Sequence, residues 1–95
     1  MLSVSEIINA VATYYDLRQK DILGESRLKN IVTARHVAMF IIRFETGISL
    51  SAVGGLLGGR DHSTIIHATE KIKRLLAKDL KLKKEMGEIK ENLGI

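Results

Sequence analysis

The chain has 95 residues, enough for one domain with a modest core and too few for a second. It has no cysteine, which removes disulfides and thiol chemistry, and its longest apolar run, Val37 to Ile42, falls far short of a membrane span. Lys and Arg number 15 against 11 Asp and Glu, a net charge of +4, which suits a polyanionic partner without demanding one.

Residues 1–95 are expected to form a single all-α domain, because proline is absent, aromatics are few, and Leu, Ile, Lys and Glu are abundant. Ser3-x-x-Glu6 is a capping box ahead of an apolar stripe, Val4, Ile7, Ile8, Val11 and Tyr15, so helix one spans about Val4 to Tyr15. A short second helix spans about Arg18 to Leu23 and ends at Gly24. A polar loop covers residues 24–31. Thr33 is positioned to cap a third helix, about Ala34 to Thr46, stopped at Gly47. This helix is apolar on most sides (Val37, Ala38, Phe40, Ile41, Ile42, Phe44), which makes it the central one. Its polar residues Arg35, His36 and Arg43 share one sector with Met39, read as exposed.

Ser49 caps a fourth helix that runs to about Leu57. Gly54 and Gly55 inside it lower its propensity, which suggests close packing against a crossing helix. Helix five runs from about His62 to Lys78, with Ile65, Ala68, Thr69, Ile72, Leu75 and Leu76 at helical spacing. Asp79 is a candidate cap for a sixth helix with the stripe Leu82, Met86, Ile89 and Leu93, although helices five and six could also be one. The expectation is a compact bundle of about six helices.

Charge is not evenly spread. Residues 26–78 hold nine Lys and Arg against Glu45, Asp61 and Glu70, a net +6, and the remainder is −2. Within that basic region the run Gly58-Gly59-Arg60-Asp61-His62-Ser63-Thr64 joins helix four to helix five. Helix, glycine turn, helix is the layout of a helix-turn-helix, whose second helix enters the major groove by its N-terminal end. Asp61 is first a helix cap and second an acceptor for a cytosine amine. His62 is able to donate to a base or phosphate and to pack on a thymine methyl. A solvated helix-start residue is the commoner fate of such a histidine. Ser63 and Thr64 are small hydroxyl residues that allow close approach, and the free N–H groups of the helix start add an anion site. Arg60 suits a salt bridge, for example to Glu45, as well as it suits a phosphate. His67, about 140° round the helix from His62, reads as packed or partly buried. Arg35 and His36 at the start of helix three read as phosphate clamps, with Arg43 in the same sector, and Lys71, ten residues after Asp61 and about 80° from it round the helix, is a further phosphate candidate.

The signature Gly58 to Thr64 followed by Ile65-Ile66-His67-Ala68 resembles that of the C-terminal DNA-binding domain (domain IV) of the bacterial replication initiator DnaA family, which usually has Thr where this chain has Ser63. Tyr14-Tyr15, Asp21-Ile22-Leu23, Ala34 to Met39 and Ser49-Leu50-Ser51 also resemble parts of that domain, so the likeness covers about residues 3 to 93. It implies a Trp-repressor-like helix-turn-helix architecture and binding to double-stranded DNA at DnaA-box sites of consensus TTATCCACA. It implies base contacts from Asp61, His62, Ser63 and Arg27, the last in the minor groove. It implies backbone contacts from Thr64, Ser51 and Lys29, the basic neighbour of Arg27. Glu25 stands where the family loop is usually basic, which points to weaker or more salt-sensitive binding.

Sequence-specific duplex binding for replication initiation is therefore the leading reading, with the chain either an excised initiator domain or a stand-alone DnaA-like regulator. A helical protein-interaction module using the 79–93 stripe is the alternative. Enzymatic activity is not expected: consecutive residues Asp61-His62-Ser63 project about 100° apart and form no relay, and no phosphate-binding loop is present. No cofactor, metal or small-molecule substrate is expected, and a membrane-surface role is disfavoured by Glu85, Glu88 and Glu91 among the C-terminal lysines. No secretory pattern opens the chain, so a monomer acting in the cytoplasm at the nucleoid is the expectation.

Overall fold

A computed structural model describes residues 2–95 and contains six helices: α1 (Val4–Tyr14), α2 (Gln19–Leu23), α3 (Lys29–Thr46), α4 (Leu50–Leu56), α5 (His62–Leu76) and α6 (Leu80–Leu93). No strand occurs among the described residues, so the all-α expectation holds. The capping box forms as the sequence implies: the Glu6 N–H donates to Ser3 Oγ (3.0 Å) and the Ser3 N–H to Glu6 Oε1 (3.1 Å). Ser49 Oγ accepts from the Ala52 N–H at 3.1 Å and opens α4. Asp79 accepts from the Leu82 N–H at 3.1 Å. That cap separates α5 from α6, and α5 ends at Leu76, two residues before the expected Lys78.

α3 is the axis of the fold and packs against α1, α2, α4 and α5, while α6 closes over α1 and α5. Its residues Ala34, Val37, Ala38, Met39, Ile41 and Ile42 are buried and meet Ile7 and Val11 of α1, Ile22 of α2, Val53 of α4, and Ile65 and Ile72 of α5 in one core. Tyr15 donates to Glu85 at 2.9 Å and Tyr14 donates to Glu88, which ties α1 to α6. Phe44, expected inside, is 56% exposed and packs at a tilt against Phe40, with centroids 4.9 Å apart.

α3 also begins five residues earlier than the sequence suggested. Leu28, not Thr33, is the N-cap residue, and Lys29 and Asn30 are helical. Ile31 explains the difference. It extends the buried stripe by one turn and is 7% exposed, so its burial outweighs the capping tendency of Thr33. The loop shrinks to residues 24–28, and Ser26 Oγ accepts from the Leu28 N–H (3.2 Å) to order its end.

Candidate nucleic-acid interface

The turn between α4 and α5 is built by two successive glycines in the left-handed region, Gly58 (φ +79°) and Gly59 (φ +73°). Side chains avoid that conformation, so the Gly-Gly pair is what lets the chain reverse within a few residues. The Gly54 carbonyl accepts from the Arg60 N–H at 2.8 Å and locks the turn to α4. Gly54 is thus small for the sake of the turn backbone, not of a crossing helix as expected, and a Cβ at Gly55 would meet nothing.

Asp61 stands at the N-cap position with extended backbone, and its carbonyl accepts from the Thr64 N–H (3.1 Å). Its side chain makes no capping bond, contrary to the first expectation. Instead it accepts from Ser63 Oγ at 3.1 Å and lies 3.0 Å from His62 Nδ1. The Ser63 hydroxyl, then the His62 N–H and ring, hold the Asp61 carboxyl below its usual pKa. A short triad of acceptor, imidazole and hydroxyl therefore sits ready on the first turn of α5, with the Asp61 and His62 side chains 69% and 59% exposed.

Beside this turn a cleft runs between the 24–28 loop and α5. Arg27, Arg35, His36, Arg60 and Thr64 line it, together with Glu25. Arg27 and Thr64 are exposed, and so are Lys29 and Lys71, which share a second groove between α3 and the α5–α6 corner. Ser51 is exposed in the first turn of α4.

Four residues, Arg35, Arg43, His67 and Arg60, are placed otherwise than expected. Arg35 is not in an exposed sector: it is 5% exposed, and its guanidinium donates to the carbonyls of Ile22 (2.7 Å), Asp21 (2.9 Å) and Ser26 (2.9 Å). The end of α2 covers the sector that periodicity alone left open, and Met39 in that sector is buried too. Arg43 lies outside the cleft and donates to the Ile48 carbonyl at 3.0 Å, two residues past the end of α3. His67 is exposed rather than packed. Arg60 pairs neither with Glu45, whose partner is Lys90 at 3.9 Å, nor with anything acidic; it donates to the carbonyls of Leu23, Gly24 and Leu57. An arginine directly between a glycine turn and a helix start was the available signal for that role.

His36 is half-buried at the base of the cleft. Burial first, then Lys71, Arg35 and Arg60, push its pKa below the ordinary value of about 6.5. The folded chain thus takes up this proton later than the unfolded chain as pH falls. Stability is full above pH ~6.5 and declines as pH drops from there through the folded pKa of His36. Thermal midpoints measured from pH 8 to pH 5 are expected to fall over the lower part of that range, and His36→Gln to flatten the fall. An equal slope in the variant would remove His36 as its source.

The profile of the bacterial DnaA protein helix-turn-helix matches residues 4–72, which include the loop, the turn and most of α5. The chain belongs to the bacterial DnaA helix-turn-helix family. It is 45% identical over 93 residues to the chromosomal replication initiator protein DnaA of Enterococcus faecalis, covering 98% of this chain and 21% of that protein. It is 42% identical over 87 residues to the DnaA of Roseiflexus castenholzii (92% and 18%) and 40% identical over 92 residues to that of Limosilactobacillus fermentum (97% and 21%). The chain thus spans about a fifth of the length of these DnaA relatives. The resemblance read from Gly58 to Thr64 is thereby established for nearly the whole chain. In DnaA family terms, α4, the glycine turn and α5 are the helix-turn-helix. Among the described residues no helix is long and apolar enough to cross a membrane.

Proposed function

We propose that this chain is the DNA-reading domain of a DnaA-type replication initiator and binds double-stranded DNA at DnaA-box-like sites. The observation that carries the reading is the Asp61–His62–Ser63 cluster, held outward on the first turn of α5 behind the double-glycine turn. A major groove admits one helix end of this kind, and each of the three side chains has a base-edge partner there. The Arg27 loop next to it supplies a cation suited to the negative potential of a narrow minor groove. Lys29, Lys71, Ser51 and Thr64 surround these readers as phosphate contacts, and the net +6 of residues 26–78 steers the approach. The domain acts as a monomer at the nucleoid and does no chemistry itself. Initiation, if the parent protein performs it, belongs to segments other than this one.

Fluorescence anisotropy at fixed salt, comparing a TTATCCACA duplex with a scrambled one, tests the reading. Tighter binding to the box is expected. Equal affinity would reduce the activity to charge-driven binding, and no affinity for either would favour a protein-interaction module.

Ser63→Thr is expected to tighten box binding by up to about fourfold and to leave the scramble unchanged. The threonine hydroxyl keeps the donation to Asp61, and its extra methyl meets the methyl that only thymine presents in the major groove. One buried methyl is worth at most ~0.8 kcal/mol. Equal tightening on both duplexes would place residue 63 against the sugar-phosphate backbone.

A further inference from the structure

α2 is only five residues long, so its last carbonyls have no partners within the helix. The Gly24 N–H takes the Lys20 carbonyl at 2.9 Å, which leaves Asp21, Ile22 and Leu23 to be satisfied from elsewhere. Two arginines from different parts of the chain supply the donors. Arg35 of α3 donates Nη2 to Asp21, Nε to Ile22 and Nη1 to Ser26. Arg60 of the helix-turn-helix turn donates to Leu23, to Gly24 and to Leu57 at the end of α4. Between them the two guanidiniums hold the carbonyls of residues 21, 22, 23, 24 and 26. Cations at a helix C-terminus are favoured by its dipole as well.

The consequence is positional. Ser26, held by Arg35, is the residue before Arg27. Arg60, which holds Leu23 and Gly24, is the residue before Asp61. A separate observation supports the closeness of these parts: a Cβ at Gly58 would overlap the Leu23 carbonyl, so the turn backbone lies directly on the end of α2. The minor-groove loop and the major-groove helix are therefore anchored to one another through a few backbone carbonyls. Arg35 itself is 5% exposed, and three of its five N–H groups, one on each nitrogen, are committed to backbone carbonyls.

We propose that Arg35 and Arg60 form a clasp that fixes the Arg27 loop at one offset from the first turn of α5, and that Arg35 is a positioning residue for Arg27. The proposal rests on the DNA-binding reading above. A lysine keeps the charge but has no planar fork, so it cannot reach three carbonyls in three directions. Arg35→Lys should therefore release the loop without altering the net charge of the domain.

The test is a double-mutant cycle read by anisotropy on the box duplex, with a salt series. In the parent protein, Arg27→Ala is expected to weaken box binding by about thirtyfold, the middle of the range for one good base contact. In the Arg35→Lys background the same change should cost about twofold or less, because the loop is already adrift. His62→Ala should cost the same in both backgrounds, and the salt slope of Arg35→Lys should match the parent. A slope flattened by about 0.9 would make Arg35 a phosphate contact after all. An undiminished Arg27 loss in the Arg35→Lys background would leave Arg35 with no role beyond stability. A parent protein that fails to distinguish box from scramble would sink the DNA-binding reading, not the clasp. The clasp has its own readout in the unmodified protein: the Arg35 Nε–H resonance should be protected from solvent exchange and hold its shift when duplex is added. Rapid exchange in the free protein would overturn the clasp whatever the variants do.

Discussion

His62→Ala is expected to weaken binding to a box duplex by about 5- to 150-fold and to leave binding to scrambled duplex unchanged, the range that follows from losing one good base contact worth ~1–3 kcal/mol. His62 is the first helical residue of α5 and stands 59% exposed. Its Nδ1 faces Asp61, which leaves Nε2 as the edge presented to a base. Alanine keeps the helix, since the chain enters α5 through the Asp61 carbonyl and the glycine turn rather than through the imidazole. Arg27→Ala should have an effect of the same order through the other groove. The two residues sit on separate elements, so their losses should add in the double variant. Anisotropy on both duplexes measures all four proteins. A His62→Ala loss shared equally by the scrambled duplex would put the imidazole on a phosphate, because phosphate contacts position a protein without reading sequence.

Local signals carried most of the fold. The capping box at Ser3 and Glu6, the Ser49 cap and the Asp79 cap each involve a side chain and an N–H three residues away, so the sequence contains both partners. The helix-turn-helix was legible for the same reason, since the glycine pair and the polar run after it are adjacent in the chain. What failed was non-local. The start of α3 depended on whether Ile31 found a core, and the cap at Thr33 lost to that burial. Arg35 was placed correctly in a sector of α3, but whether that sector is exposed depends on where α2 lands, 13 residues upstream of it in the case of Ile22. Met39, an apolar residue in the same sector, was the warning that something would cover it. The Asp61 side chain shows the opposite case. Both of its choices were local, and Ser63 and His62 won it from the helix N–H groups.

Gly54→Ala and Gly55→Ala should move stability in opposite directions, although the two glycines are neighbours in one helix. Alanine raises intrinsic helix propensity by up to ~1 kcal/mol at either position. At Gly55 nothing lies within reach of a new Cβ, so the gain stands and the thermal midpoint should rise by a few degrees. At Gly54 the Cβ would overlap the Arg60 carbonyl oxygen and touch Ile65 Cγ1 at 3.6 Å. No rotamer change relieves a clash with backbone, so the turn must shift away from α4. That shift breaks the bond from the Arg60 N–H to the Gly54 carbonyl. Overpacking of this kind costs about 1–3 kcal/mol, and the lost hydrogen bond about 1 more. For a domain of this size each kcal/mol corresponds to roughly 4–8 °C in the midpoint, so Gly54→Ala should melt well below the parent. Its effect should also reach function, because Arg60 and Asp61 travel with the turn. At a temperature where Gly54→Ala remains folded, its preference for the box over the scramble should be reduced, while that of Gly55→Ala is retained. A Gly54→Ala protein as stable and as selective as the parent would show that the turn does not rest on the backbone of α4.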